Sequence, residues 1–209
     1  MASILDLLKF RSLGVGKIQS VDEMTVIPLV GGDDGNIASP SSLHFERTSS
    51  YGSMIFKNDD SKPAIVPSNY MIRGRGAQDH AMAGAGIVIG STTFNTACCI
   101  EQTQGGYLSS TGNEEDILPI NLRKTLLNAG RRQEQYYGKL WGAIDDWLSG
   151  TGIKQHSGAH LRDFYDNSKI RQSLEQFAAE FEPVDRQIGA LIMFSGTPVG
   201  LEIMPTSDH

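Results

Sequence analysis

The chain reads as an α+β fold with an N-terminal antiparallel β-rich half, central helices, and a C-terminal β-hairpin rejoining the sheet. Three observations predict this. From Ser41 to Gln102, short β-branched and aromatic runs follow one another through connections too brief for crossover helices. After Gly112 the apolar residues take helical spacing. Near the end, two apolar runs flank the turn Ser195–Pro198. At 209 residues with 39% hydrophobic content, a single domain over residues 1–209 is expected.

Within residues 1–20, Ile4, Leu7, Leu8 and Phe10 lie near helical spacing and predict an N-terminal helix or arm. The run MTVIPLV, Met24 to Val30, predicts a strand stopped by the turn cluster GGDDGN. Residues 24–108 form the β-rich part, with strands in SLHFERT, GSMIFKN, AIVPSNYMIRG and the long GIVIGSTTFNTACCIEQ. Between the last two, GRGAQDHAMAGAG reads as a polar, glycine-rich loop. Residues 116–182 form the helical part. Leu122, Leu126, Tyr136, Leu140, Ile144 and Trp147 suit one long amphipathic helix, or two broken near Asn128, Ala129 and Gly130. Ser157 and Asn167 are candidate N-caps for later helices, and Pro183 marks their stop. The hairpin spans 187–204, with Gly196 where positive φ is needed.

Composition excludes several classes. With 18 Lys+Arg against 24 Asp+Glu the formal charge is -6, so sequence-independent binding to nucleic acid is not expected. No apolar run approaches the roughly 20 residues that span a bilayer, so no membrane partner is expected. The opening MASILDLLKF lacks a charged n-region and a small-residue cleavage site and reads as mature protein. A cytoplasmic location follows, or a virion if the chain is phage-encoded. The two cysteines, Cys98 and Cys99, are adjacent and rarely bridge; one buried and one outward thiol in a reducing compartment is the expectation.

Four stretches carry candidate chemistry. In RGRGAQDH, glycines let backbone amides approach an anion and Arg73 and Arg75 can bracket it, beside Gln78, Asp79 and His80; a long polar loop explains the same residues. In CCIEQTQGG, Glu101 and Gln102 stand where a strand enters a turn, presenting a carboxylate and an amide together. His156 and His160 are four apart, but H-x-x-x-H without an internal glutamate is unspecific, and no metal or cofactor is expected. The cluster RRQEQYYGKLW interleaves Arg131, Arg132, Tyr136, Tyr137, Lys139 and Trp141 in a pattern that suits base stacking, or a core face with solvated arginines.

The order of these features resembles the ARG-and-rhodanese-phosphatase-superfamily-associated protein (ARPP) family, as a divergent member. The resemblance rests on N-x-[SD]-x-x-P at Asn58–Pro63, on G-x-x-Q in GRGAQDH, on C-I-E-Q at Cys99–Gln102, and on the glycine pattern from Gly189 to Glu202. It implies a nucleotide-like ligand, an NAD or ADP-ribose derivative, near Gln78, Glu101 and Gln102. The family pattern has basic residues around the glutamine where this chain has Ala77 and His80, and aromatic-basic residues where it has Thr103, Gln104 and Gly105.

Two functions are therefore expected. The first is a non-enzymatic binding and assembly module, self-associating or joining other subunits, such as a structural or accessory component of a phage virion. The second is binding or processing of the nucleotide-type ligand. In it Glu101 and His80 would be catalytic, and Arg73, Arg75, Gln78, Asp79, Gln102, Gln104 and Gly105 would bind the ligand.

Overall fold

β-Branched residues at Val26 and Ile27 extend the backbone of β3 (Met24–Val30), and this strand organises the first sheet. A computed structural model of the chain describes residues 13–31, 36–74, 76–103, 105–131 and 137–208. The apolar residues of the expected N-terminal helix lie outside that set. The described part of that segment, residues 13–20, is extended rather than helical: β1 (Gly14–Val15) and β2 (Gln19–Val21) both pair antiparallel with β3.

The last hairpin, β13 (Gln187–Phe194) and β14 (Thr197–Ile203), returns to this sheet by pairing β13 with β3. The order is β1-β3-β13-β14, with β2 also on β3. Ser195 and Gly196 form its turn with φ of 46° and 75°, the doubly positive geometry that matches strand twist. The predicted α+β fold with a rejoining hairpin is thus the observed one.

The middle of the chain forms three further small sheets. β4 (Leu43–Ser50) and β5 (Ser53–Asn58) make a hairpin extended by β10 (Ser91–Phe94), and β6 (Ala64–Val66) pairs with β9 (Gly86–Val88). β7 (Tyr70–Gly74), β8 (His80–Met82), β11 (Ala97–Cys99) and β12 (Asn113–Ile117) form the sheet β11-β8-β7-β12. Every pairing is antiparallel. The apolar run from Gly86 to Gln102 is therefore three strands in three sheets, turned at Gly90 (φ 59°) among others. The glycine-rich loop contains β8, and β12 precedes the helices where helix was expected from residue 116.

Four helices follow: α1 (Ile120–Arg131), α2 (Gly138–Thr151), α3 (Arg162–Tyr165) and α4 (Ser168–Ala178). The stretch is split, but α1 runs through Asn128–Gly130. Gly130 sits inside it because a Cβ there would overlap Ala83. Asn167 caps α4 as expected, accepting from the N–H groups of Lys169 and Ile170. Ser157 lies in a loop and caps nothing. Among the described residues no helix is long and apolar enough to cross a membrane.

The β11-β8-β7-β12 sheet is covered on both faces. Met71 and Ala81 pack with Leu122, Leu126, Leu140, Ile144 and Leu148 of the helices, whereas Ile72 and Met82 pack with Phe45, Met54, Phe56 and Val88 of the other sheets. Double coverage corrects the cysteine expectation. Cys98 and Cys99 are both buried, and burial pushes the Cys99 thiol up to about 12.

Candidate active site

β11 carries the chain into the site. Its pairing with β8 ends at Cys99 opposite His80, and Ile100 donates its N–H to Asp79 O at 2.9 Å. One residue on, Glu101 forms an isolated antiparallel bridge with His160, and Gln102 donates its N–H to Ala159 O at 3.1 Å. A loop from the helical part is thereby laid against the strand end. Gly158, at φ 88°, is needed there because a Cβ would stand 2.5 Å from the Gln102 side-chain oxygen. Asp163 braces the same loop by accepting the N–H groups of Gln155 and His156 and the His156 ring at 2.5 Å. Burial opposes its charge, yet these bonds outweigh that and hold Asp163 below the ordinary carboxylate range.

The centre is a pair of buried carboxyls sharing one arginine. Arg162 grips Asp79 in two places, Nε to Oδ2 at 3.0 Å and Nη2 to Oδ1 at 2.5 Å, and also donates to Gly74 O. Glu101 Oε2 lies 3.8 Å from the same Nη2 and 3.4 Å from Asp79 N. Glu101 Oε1 meets His160 Nδ1 at 3.2 Å. Burial first, and the Asp79 charge second, push Glu101 up to about 7. Burial also raises Asp79 against the pull of Arg162. His160 is held below its ordinary value by burial and by neighbouring His156. A carboxyl that titrates near neutrality beside a neutral imidazole is suited to moving protons.

Not every expected residue comes to this point. Glu101, Asp79 and Gln102 do, and Gly105 lies just beyond in open space. Gln78 contributes backbone only: its N–H reaches Gly106 O at 3.3 Å, and its carbonyl meets His80 Nδ1 at 2.8 Å. The His80 ring is fully buried on the face of Ile72 and Met82, with Nε2 unpartnered, and burial lowers it to about 4. Glu101's histidine is His160. Arg73 is engaged by Glu114, Asp116 and Asp166 at 2.6, 2.8 and 2.9 Å, with its guanidinium 4.7 Å from the Tyr165 ring centre. The arginine beside Glu101 is Arg162, which the sequence did not single out. Arg75 and Gln104 lie outside the described residues. In the basic-aromatic cluster Tyr137 and Trp141 are core, Trp141 Nε1 donating to Cys99 O at 3.0 Å, while Arg131 and Lys139 are exposed. Among the described residues no group of three or more His, Cys, Asp or Glu is arranged to hold a metal ion.

A family model described as the ARG and Rhodanese-Phosphatase-superfamily-associated Protein domain, ARPP-1, matches residues 12–209. The chain belongs to the ARPP-1 family. No curated protein and no solved structure matches it. Seen as an ARPP-1 protein, its motifs divide by physical role. Asn58 is structural: its amide donates to Lys62 O at 2.7 Å and Val88 O at 3.1 Å, and its oxygen accepts from Asp60 N. The late glycine pattern docks the hairpin on α1, with Gly200 beneath Ile120 and Glu202 paired to Arg123. The C-I-E-Q run brings Glu101 to the cluster, and the stretch around G-x-x-Q brings Asp79 and the Gly74 carbonyl. His160 and Arg162 had no local signal beyond the H-x-x-x-H spacing, because their partners stand about sixty to eighty positions away in sequence.

Proposed function

We propose that this ARPP-1 protein binds and processes a nucleotide-type ligand, an NAD or ADP-ribose derivative, at the Glu101–His160 site. The observation that carries the reading is the buried Glu101 carboxyl held between His160 and the Asp79–Arg162 pair at the base of an exposed loop. A strand end needs no such arrangement for stability, because a buried, half-protonated carboxyl weakens the fold. Arg162 also lines a polar cavity of about 290 Å³ together with Arg73, Gly74, Gly112, Glu114, Asp166 and Arg171. In that cavity Glu114 and Asp166 pair with Arg73, and Arg171 is exposed beside them, a guanidinium that can meet a phosphate.

Thermal denaturation with and without ADP-ribose or NAD tests the reading. Ligand at about one hundred times its Kd stabilises by about 2.7 kcal/mol; the shift should vanish in Glu101→Gln, and chromatography of the incubated nucleotide should show turnover only with the wild type. No shift with either nucleotide overturns it.

A second reading, a structural or accessory subunit of a larger particle such as a phage virion, is favoured by one observation. β14 is the edge of its sheet among the described strands, and Phe194, Val199 and Leu201 are 49%, 43% and 58% exposed along that hairpin.

A further inference from the structure

The loop after Glu101 brings a hydroxyl to the free side of the His160 ring. Thr103 Oγ1 lies 2.6 Å from His160 Nε2, while the opposite nitrogen, Nδ1, lies 3.2 Å from Glu101 Oε1. Hydroxyl, imidazole and buried carboxyl thus stand in one line of contacts. Exposure is graded along it: Thr103 is exposed, the His160 side chain is 14% exposed and the Glu101 side chain 3%. This is the order in which a hydroxyl is made nucleophilic, with a base at the hydroxyl and an orienting carboxylate behind the base.

The ring is held in place from several directions. Its backbone is bridged to Glu101, its neighbour Ala159 is bonded to Gln102 through both N–H and carbonyl, and Asp163 accepts the N–H of Gln155 and of His156. Thr103 itself is exposed, so its hydroxyl is within reach of a molecule in solvent.

We propose that Thr103 is a nucleophile for acyl transfer, activated by His160 and oriented by Glu101, acting on an ester-type carbonyl of a molecule bound at this site. Thr103 Oγ1 bonds to the carbonyl carbon as its proton passes to His160 Nε2. The Nδ1–H stays bonded to the Glu101 carboxylate throughout. The ester's C–O bond then breaks, and the departing oxygen takes the proton from Nε2, leaving an acyl-threonine. Water repeats the sequence: it gives a proton to Nε2, attacks the acyl carbon, and releases a carboxylic acid as the proton returns to Oγ1. The step shares its location with the nucleotide reading and does not depend on the nucleotide.

The test uses the full chain with 4-nitrophenyl acetate as the probe, at pH about 8, where Glu101 is ionised. The expected result is a nitrophenolate burst of about one equivalent per chain, with an acetyl group on the peptide bearing Thr103. Thr103→Ala and His160→Gln should each reduce the burst by about a hundredfold or more, and Thr103→Ser should retain it. Because Thr103 is exposed, the Thr103→Ala chain is checked for an unchanged melting temperature. An equal burst in Thr103→Ala, an acetyl group on another residue, or no burst in the wild type overturns the proposal. Nucleotide stabilisation measured on the wild type and Glu101→Gln separates the two ideas. If it depends on Glu101 while no burst occurs, only the acyl-transfer step falls; if a Thr103-dependent burst occurs with no nucleotide effect, only the nucleotide reading falls.

Discussion

Glu101 holds its proton to a higher pH than a solvated glutamate because burial and the Asp79 charge both disfavour its anion, more than Arg162 and the hydrogen bond from Asp79 N favour it. The group's effect on stability follows in sign. Its folded value, about 7, lies above the ordinary 4.5, so the native state binds more protons between those values. The stability it contributes is full below the ordinary value and is lost as pH rises through about 7. Glu101→Gln does not titrate. Relative to wild type it should gain on the order of 2 kcal/mol, several degrees in Tm, on going from about pH 5 to about pH 8; melting curves at both pH values check this, and a constant difference sinks the buried-acid account. The groups facing Glu101 are Asp79, Arg162, His160 and, more distantly, His156. His80 works in the opposite sense. Its folded value of about 4 lies below the ordinary 6.5, so the stability tied to its neutral ring is full above 6.5 and is lost as pH falls through about 4. At this scale Glu101 was legible as a carboxyl at a strand end. Its partner was not, since His80 is nearer in sequence and His160 nearer in space.

At the scale of elements, Gly130 sets local propensity against packing. Alanine in a helix interior is normally worth about 1 kcal/mol over glycine. Here the added methyl would overlap Ala83 and stand 3.1 Å from Thr96 O, because α1 lies directly on the turns between β8 and β11. Gly130→Ala should therefore destabilise by about 1–3 kcal/mol in urea denaturation; any gain in stability would mean that α1 stands further from the sheet than described. The helices were readable from Leu122, Leu126, Leu140 and Ile144, which keep a 3.6-residue period toward one core. β8 was not readable. Its three residues, His80 to Met82, are buried on both faces and flanked by glycine-rich loops, so no alternation marks them. Likewise β12 is polar along Asn113–Asp116 and resembles a helix start, and only its pairing with β7 makes it a strand.

At the scale of the whole molecule, the first and last parts of the chain close one sheet, β3 against β13. Contacts of such long sequence separation carry a large loop-closure entropy, and folding in milliseconds to seconds is expected; microsecond refolding by temperature jump would show that the sheet is not part of the cooperative unit. The same sheet bears the assembly reading. If β14 is an interface, the wild type is an oligomer at micromolar concentration by light scattering and Leu201→Glu returns it to a monomer. A monodisperse wild-type monomer removes that reading, and the net charge of -6 acts in that direction by mutual repulsion.

The amino-acid sequence by itself determined the α+β class, the hairpin, the Asn167 cap and the place of Glu101 at the end of a strand. These depend on periodicity, turn residues and local hydrogen bonds, all of which act over a few positions. Only the tertiary structure decided that the apolar run from Gly86 divides among three sheets, that both cysteines are inside, and that Arg73 is tied to Glu114, Asp116 and Asp166. It alone decided that Glu101 meets His160 and Arg162. The physical reason is that a side chain's partner is set by the register of distant segments, here a single bridge between Glu101 and His160, and register between distant segments leaves no trace in local pattern.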